Sequence, residues 1–172
     1  MPNIDPELVR KHFAYDTETG ELRWRIGSRR VKVGDVAGHA VSAEDGRIKV
    51  GFLYKTVWAH QLIWAYQTGE WPTHFIDHIN RNPSDNRWCN LRAATHVENR
   101  ANQTKTNNKY GYRGLYWIKH TSKWGARVTV NNKTHHIGCY ETKEKAHEAF
   151  KDAHRRLHGK FSPYHQNFPS GA

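Results

Sequence analysis

The stretch from Asp77 to Gln103, DHINRNPSDNRWCNLRAATHVENRANQ, decides how this chain folds around its candidate site. The short segments FIDHI and NLRAA flank NRNPSDNR, a turn-rich run with a proline, and this arrangement predicts a hairpin with a long loop. The THVE run at 95–98 has the capping-box pattern, so a helix is expected to begin there with Thr95 as its N-cap. Asp77 and His78 are then expected on the first strand, Asn90 near the second strand and Asn99 on the helix.

The residue types in this stretch suit the hydrolysis of a phosphodiester bond. An imidazole with an ordinary pKa near ~6.5 can accept a proton from water at neutral pH, so His78 is the candidate general base. Asp77 and the amide oxygen of Asn99 are hard oxygen ligands suited to Mg²⁺ or Mn²⁺. Asn90 offers donors and an acceptor that can brace the loop. Neighbours on a regular strand point to opposite faces, so Asp77 and His78 can share a site only if the strand ends or bends there or if the phosphate approaches along an edge.

The pattern D-H-I-N-x4-D-N-R-x2-N-L-R, followed by a helical Asn, resembles the HNH homing-endonuclease family with the ββα-metal fold. The three family positions fall on His78, Asn90 and Asn99, with spacings of 12 and 9 residues, and the third is Asn, as in the phage-type branch of the family. The resemblance implies that His78 is the general base and that Asn90 is a structural member of the site. It also implies that Asp77 and Asn99 bind one divalent ion, Mg²⁺ or Mn²⁺.

Charge is unevenly distributed along the chain. The net charge is +11, yet residues 1–100 carry 14 basic and 12 acidic side chains, whereas residues 101–172 carry 13 and 4. No acidic residue occurs between Ala101 and Tyr140. Such a charge distribution is typical of a region that binds a polyanion, and it indicates nucleic acid as the partner.

Composition excludes several other classes of protein. Cys89 and Cys139 belong to no CxxC pair, so no zinc is expected and both are interpreted as reduced, partly buried thiols. No apolar run approaches the roughly 20 residues of a membrane helix, and MPNIDPELVRKHF has no apolar signal core. We therefore expect no membrane partner and a location in the cytoplasm of a bacterial host cell.

The N-terminal part of the chain predicts a helix and small strands. Asp5-Pro6 is a typical helix start, and Thr19-Gly20 predicts a hairpin turn. Strands are expected in RRVKVGDVAG at 29–38 and in GRIKVGFLYKTV at 46–57. The segment at 57–66 has helical spacing, with Gly69 as a stop signal. His60 lies among apolar neighbours in this helix, where a histidine is usually structural.

A second module is predicted from Tyr110 to about Tyr164. Strands in KWGARVTV and KTHHIG flank Asn131-Asn132, which suits a tight turn because Asn tolerates positive φ. A strand in YRGLYWIK precedes them, and a helix is expected from about Thr142 to His158. The apolar positions of that helix are Ala146, Ala149, Phe150, Ala153 and Leu157. They should pack on the sheet face that carries Ala126, Val128 and Val130.

This second module resembles the Apetala/ethylene-response-factor DNA-binding domain. Its exposed sheet face would be basic, polar and aromatic, and sheets of this kind can enter a major groove. The resemblance implies DNA contacts from Arg113, Tyr116, Trp117, Lys119, Lys123, Trp124, Arg127 and Thr129. Tyr116 stands where Arg is usual, and Arg127 and Thr129 replace a usual Glu and Arg, so the target sequence of the plant domain does not transfer.

The predicted fold class is α+β, with an N-terminal small sheet and a ββα-metal HNH module in residues 1–100. A linker at 101–109 leads to a three-stranded antiparallel sheet packed on one helix at 110–165, and 166–172 form a tail. The expected function is a homing-type DNA endonuclease of a phage or mobile element, which binds double-stranded DNA as a monomer. The alternatives are a DNA-binding regulator with an inactive nuclease module and, less favoured, an RNA-binding protein.

Overall fold

The computed structural model describes residues 4–106 and 108–165. The chain divides into two compact units, and the division falls between Thr95 and His96, before the predicted linker. The first unit contains α1 (Pro6–His12), β1 (Phe13–Tyr15), β2 (Leu22–Trp24), β3 (His39–Ala40), β4 (Ile48–Phe52), β5 (Lys55–Trp58), α2 (Ala59–Thr68), β6 (Phe75–His78) and β7 (Leu91–Ala94). These strands form antiparallel sheets in the orders β1-β2, β3-β4-β5 and β6-β7.

Helix α1 begins at its predicted start, whereas the helix predicted at 57–66 begins only at Ala59, because Val57 and Trp58 belong to β5. The carboxylate of Asp5 accepts a hydrogen bond from the backbone N–H of Glu7, and Pro6 is the first residue of α1. Helix α2 ends at Gly69, whose left-handed backbone (φ 74°) suits a residue without Cβ. The core around them is fully buried at Val9, Phe13, Val50, Leu62 and Ile63.

The predicted strand at 29–38 is wrong. The segment forms turns and bends, and its link to a neighbouring strand is a bridge between Arg23 and Val36. Its side chains are mostly exposed, Val33 included, so the alternation of Val and Lys has no apolar surface to face. The other predicted strand segment, at 46–57, is confirmed as the hairpin of β4 and β5.

Strands β6 and β7 form the hairpin that the motif predicts. Asp77 pairs with Arg92 and His78 with Leu91 in an antiparallel register. His78 is the last residue of β6, and the chain turns immediately afterwards, with the N–H of Arg81 donating to the carbonyl of His78 at 2.9 Å. The strand therefore ends at His78, which is one of the arrangements that a shared site of Asp77 and His78 allows.

The second unit is a sheet covered by a helix. It contains α3 (His96–Ala101), β8 (Leu115–Ile118), β9 (Lys123–Val130), β10 (Lys133–Tyr140) and α4 (Lys143–His158). The sheet order is β10-β9-β8, and all pairs are antiparallel. Asn131 and Asn132 both have positive φ in the β9–β10 turn, as predicted. The side chain of Thr142 caps α4, and Gly159 ends it.

Two predictions about the interior are wrong in detail. Leu157 is 42 % exposed, and His154 takes its place among the buried residues of α4 at 1 % exposure. His154 is tolerated there because its Nδ1 lies 2.9 Å from the hydroxyl of Ser162. Both cysteines, predicted to be partly buried, are exposed free thiols.

The predicted α+β fold class is confirmed, with small antiparallel sheets and helices in both units. Within the two described ranges, no helix has the length and apolar character needed to cross a bilayer. The predicted tail at 166–172 lies outside the described residues.

Candidate active site

His78 is a buried histidine at the end of β6. Its ring is 8 % exposed, and its Nε2 lies 3.0 Å from Oδ1 of Asn86. Because an amide oxygen only accepts hydrogen bonds, Nε2 carries the proton in this arrangement and Nδ1 is the basic nitrogen. Burial lowers the pKa of His78 below its ordinary value, so the ring is neutral at neutral pH. A neutral, oriented imidazole has the properties of a general base.

Asn90 fixes the loop between the two strands. It is 1 % exposed, its Oδ1 accepts the backbone N–H of Asn80 at 2.9 Å, and its Nδ2 donates to the carbonyl of Asp85 at 2.7 Å. Its own carbonyl accepts the N–H of Ile79 at 2.9 Å. The Asn90 side chain thereby binds the loop at two points, two residues after His78 and directly before Asn86.

The loop also carries its own ion pair. Arg87 binds Asp85 through two nitrogens, at 2.8 and 2.7 Å, and Asn80 donates to the same carboxylate at 2.7 Å. The Arg87 guanidinium holds the pKa of Asp85 below its ordinary value. These contacts lie on either side of Asn86, so they hold the partner of His78 in place.

The N-terminal hairpin supports the same loop from outside the motif. The hydroxyl of Tyr15 donates to the carbonyl of Asn86 at 2.9 Å, and burial raises the pKa of Tyr15 to about 12. Gly20 has φ +78°, and a Cβ built there would lie 2.5 Å from the backbone nitrogen of Arg87. The turn after β1 is thus packed directly on the loop backbone, and only glycine fits it.

Asp77 is paired with Arg92 across the hairpin. Two guanidinium nitrogens bind its Oδ2, at 2.8 and 2.6 Å, and both side chains are largely buried. Arg92 was not among the predicted site residues, although it is the arginine of the N-L-R segment of the motif. The pairing places a fixed carboxylate next to the base, with its negative charge partly neutralised by the guanidinium.

A second histidine contacts His78. The ring of His60, on α2, meets the ring of His78 edge-on, with centroids 5.3 Å apart and planes at 86°. On its other side His60 is stacked parallel to Trp58, at 6.3 Å and 7°. Burial lowers the pKa of His60 to about 3, so this ring is uncharged. His60 therefore belongs to the surroundings of the candidate base, which its isolated position among apolar residues did not indicate.

Asn99 lies on α3, which groups with the second unit, and its side chain is half-buried. The donors assigned to a metal are one carboxylate oxygen and one amide oxygen, and this set suits Mg²⁺ or Mn²⁺, which keep water and phosphate oxygens as their other ligands. In the described part of the chain, no group of three or more His, Cys, Asp or Glu side chains has metal-binding geometry. A donor set with a single carboxylate does not depend on such a group, and carboxylate and amide oxygens are chemically suited to a hard divalent ion.

Four of the residues predicted to contact DNA lie on the sheet face away from α4. They are Tyr116, Lys123, Arg127 and Thr129. The guanidinium of Arg127 lies 5.3 Å from the centroid of the Tyr116 ring, and the Tyr116 hydroxyl is 2.8 Å from Nδ1 of His136. Gly125 makes room for this ring, since a Cβ there would lie 2.4 Å from it.

The other four predicted contacts are placed differently. Trp117 and Trp124 pair directly across β8 and β9 with rings 5.1 Å apart, and Trp124 packs on the helix-covered core. Lys119 is exposed in the turn after β8. One nitrogen of Arg113 donates to the carbonyls of Arg100, Ala101 and Gln103, so it caps the C-terminal end of α3.

Three comparisons place the chain among known proteins. The sequence model of a family described as HNH endonuclease matches residues 57–101. Protein 3.8 of Escherichia phage T7 is 33% identical over 113 residues, which cover 64% of this chain and 93% of that protein. Uncharacterized HNH endonuclease L560 of Acanthamoeba polyphaga mimivirus is 28% identical over 142 residues, 81% of this chain and 69% of that protein. No solved structure matches the chain significantly.

The hairpin and the family match define a nuclease that acts on DNA, with an HNH endonuclease domain at residues 57–101. The chain belongs to the family that includes Protein 3.8 of Escherichia phage T7. The likeness of the second unit to a plant DNA-binding domain stays a prediction.

Proposed function

We propose that the protein is a site-specific, homing-type DNA endonuclease of a phage or mobile element, active in the cytoplasm of the bacterial host. It hydrolyses a phosphodiester bond with one divalent ion and a histidine general base. The observation that supports this best is the buried, neutral His78, oriented by Asn86 at a strand end beside Asp77. An exposed histidine with no oriented partner would give much weaker support for a general base.

In this mechanism His78 takes the proton from the attacking water through Nδ1, while Asn86 keeps the ring in the required tautomer. The water oxygen bonds to phosphorus, the bond from phosphorus to the 3′ oxygen breaks, and the leaving oxygen is protonated by solvent. The products are a 5′ phosphate and a 3′ hydroxyl. Asp77 and Asn99 would hold Mg²⁺ or Mn²⁺, which supplies charge stabilisation at the phosphate and the 3′ oxygen.

The other assigned residues position these groups. Asn90 holds the loop that presents Asn86, and Arg92 holds the carboxylate of Asp77. The second unit would bind double-stranded DNA through the sheet face of Tyr116, Arg127 and Thr129 and set the target. A monomer with one such site would nick one strand at a time.

A supercoiled-plasmid assay tests the proposal. We expect the wild-type protein to convert the plasmid to nicked or linear DNA with Mg²⁺ or Mn²⁺ and not with EDTA. His78→Ala should abolish cleavage, while His74→Ala, an exposed histidine of the same unit, should leave it unchanged. If the wild type cuts neither plasmid nor DNA from its own genetic neighbourhood with any divalent metal, the enzyme assignment is wrong.

DNA binding by the second unit is tested with the full chain in EDTA. The logarithm of the binding constant should fall steeply with the logarithm of the salt concentration, by about 0.9 for each phosphate contacted. Arg127→Gln and Lys123→Gln should each make that dependence shallower. Equal salt dependence in the wild type and both variants would remove these residues from the interface.

A regulator with an inactive nuclease module is the second candidate. Arg92 favours it, because a carboxylate that already binds a guanidinium has less negative charge to offer a metal ion. The plasmid assay decides between the two, since a regulator binds DNA without cutting it in any metal.

A further inference from the structure

The outer face of the β4–β5 hairpin is a feature that the catalytic assignment does not use. Val50 and Val57 of this hairpin are buried in the core, at 0 % and 2 % exposure. Because side chains alternate along a strand, the pairs on either side of Val50–Val57, which are Lys49–Trp58 and Gly51–Thr56, face away from the core. We call the resulting surface the hairpin face: it comprises Arg47, Lys49, Gly51, Tyr54, Thr56 and Trp58.

The hairpin face is basic and aromatic. The guanidinium of Arg47 lies 4.6 Å and the ammonium of Lys49 lies 5.4 Å from the centroid of the Trp58 ring. No acidic residue occurs from Gly46 to Gly69. Arg47 also binds Asp45, at the near edge of the hairpin, so Lys49 is the stronger candidate for a phosphate. This chemistry is complementary to the backbone and bases of DNA.

The tip of the hairpin is strained and apolar. Leu53 and Tyr54 form its two-residue turn with φ of 51° and 59°, a conformation usually taken by Asn or Gly. Both side chains are exposed, Tyr54 completely, so packing does not explain why bulky residues occupy the turn. Strain of this kind is concentrated where side chains serve a function.

Gly51 leaves an open surface in the middle of the hairpin. A Cβ at this position would meet nothing within 4 Å, and its φ is outside the range that favours glycine. A larger residue would therefore fit the folded strand and would favour it. A strand glycine that the fold does not require marks a place where another molecule approaches the backbone closely.

The hairpin face continues to the candidate base. Trp58 is stacked on His60, and His60 meets His78 edge-on. Two ring contacts therefore link the hairpin face to the candidate base. No such continuity is expected of a surface that only keeps the protein in solution.

We propose that the hairpin face is a second DNA-binding surface, which holds the duplex on one side of the scissile phosphate. The inference rests on the proposed function, because it places the substrate of that reaction. Lys49 would contact a phosphate, Leu53 and Tyr54 would contact bases or sugars at a groove, and Gly51 would allow the backbone to approach.

Three variants of the full-length protein test this surface. The double variant Leu53→Asn/Tyr54→Gly relieves the turn, and Gly51→Thr adds a side chain that suits a strand, so both should unfold at the wild-type temperature or above it. We expect both to bind a labelled mixed-sequence duplex about tenfold more weakly in EDTA, the scale of one lost aromatic contact with a base. Lys49→Gln should reduce the slope of log K against log salt by about 0.9. Val33→Ser, an exposed apolar residue away from the hairpin, is the matched control and should bind as the wild type does.

Retained stability with weakened binding and cleavage in the tip variant or in Gly51→Thr supports the inference. Wild-type binding and cleavage by both variants, together with an unchanged salt slope for Lys49→Gln, overturns it. A variant that unfolds at a lower temperature is set aside, and the other two decide. If the wild type cuts no DNA, the proposed function fails by itself, and weakened duplex binding by the variants still identifies the surface.

Discussion

Arg92 binds Asp77 across the β6–β7 hairpin, with two guanidinium nitrogens on the same carboxylate oxygen at 2.8 and 2.6 Å. The two residues are directly paired in the antiparallel register. One partner of the candidate site is therefore held in place by the backbone geometry of the hairpin itself. The position of this carboxylate depends on Arg92 as much as on the motif residue.

Arg92→Met should destabilise the protein by about 3 kcal/mol, because it leaves a largely buried carboxylate without its partner. Denaturant unfolding followed by tryptophan fluorescence measures the change. The control is Glu21→Gln, which breaks the exposed pair with Arg23 and should cost less than about 1 kcal/mol. Equal losses of unfolding free energy in the two variants would mean that the buried pair contributes no more to stability than the exposed pair.

Asn90→Ala should loosen the catalytic loop. The change leaves the N–H of Asn80 and the carbonyl of Asp85 without their partner, at a cost of about 1–3 kcal/mol for each buried group. The amide of Asn80 should exchange its hydrogen faster, and cleavage should fall with it. Asn82→Ala, at an exposed position of the same loop, is the control, and unchanged exchange at Asn80 would contradict the bracing role.

His60→Ala should lower kcat by up to about 100-fold with little change in KM, since a displacement of about 1 Å at a reacting group has effects of that size. His60→Phe keeps a ring against His78 and should restore most of the activity. If His60 acted through its ring nitrogens, Phe would not restore activity.

His12 offers a matched control for this prediction, because its ring meets Phe52 edge-on at 5.2 Å in the same unit. His12→Ala should lower the unfolding temperature without a selective loss of kcat. Wild-type turnover in His60→Ala would show that the contact between the two histidines has no part in catalysis.

Acid should destabilise the second unit through His154. Burial, aided by His158 and Arg113, lowers its pKa to about 3 in the folded protein, against about 6.5 in the unfolded chain. The unfolded state therefore binds the extra proton between these values, so stability is complete above about pH 6.5 and falls as the pH drops towards 3.

The slope from this one group is at most about 1.4 kcal/mol per pH unit. Unfolding free energies measured across this range should show a smaller dependence on pH in His154→Gln than in the wild type. His135→Gln, at an exposed position on β10, should keep the wild-type slope. The same slope in all three proteins would exclude His154 as the source.

Local patterns predicted the parts of the fold that depend on neighbours in the sequence. The Asn131–Asn132 turn and the cap of α4 at Thr142 follow from turn and capping chemistry alone. The alternation along β9 likewise separated Val128 from Arg127 correctly. The local prediction that failed is the strand at 29–38. Apolar and charged residues alternate there, but the segment packs against no core.

Such patterns could not predict contacts between residues that are far apart in the sequence. Tyr15 and Asn86 are 71 positions apart, and nothing near either one predicts that they meet. His60 was interpreted as structural because its neighbours are apolar, yet the α2 face that buries it also brings it to His78. His154 was not expected in the core, because its partner Ser162 follows a turn after the helix.

The packing of Gly20 on the backbone of Arg87 extends the functional unit of this nuclease beyond the residues that match the family. The family match begins at residue 57, but the loop that orients the base is shaped by a turn near residue 20. Transplanting residues 57–101 into another scaffold would leave that loop without its support. Engineers who wish to graft this catalytic element should move the N-terminal hairpin with it.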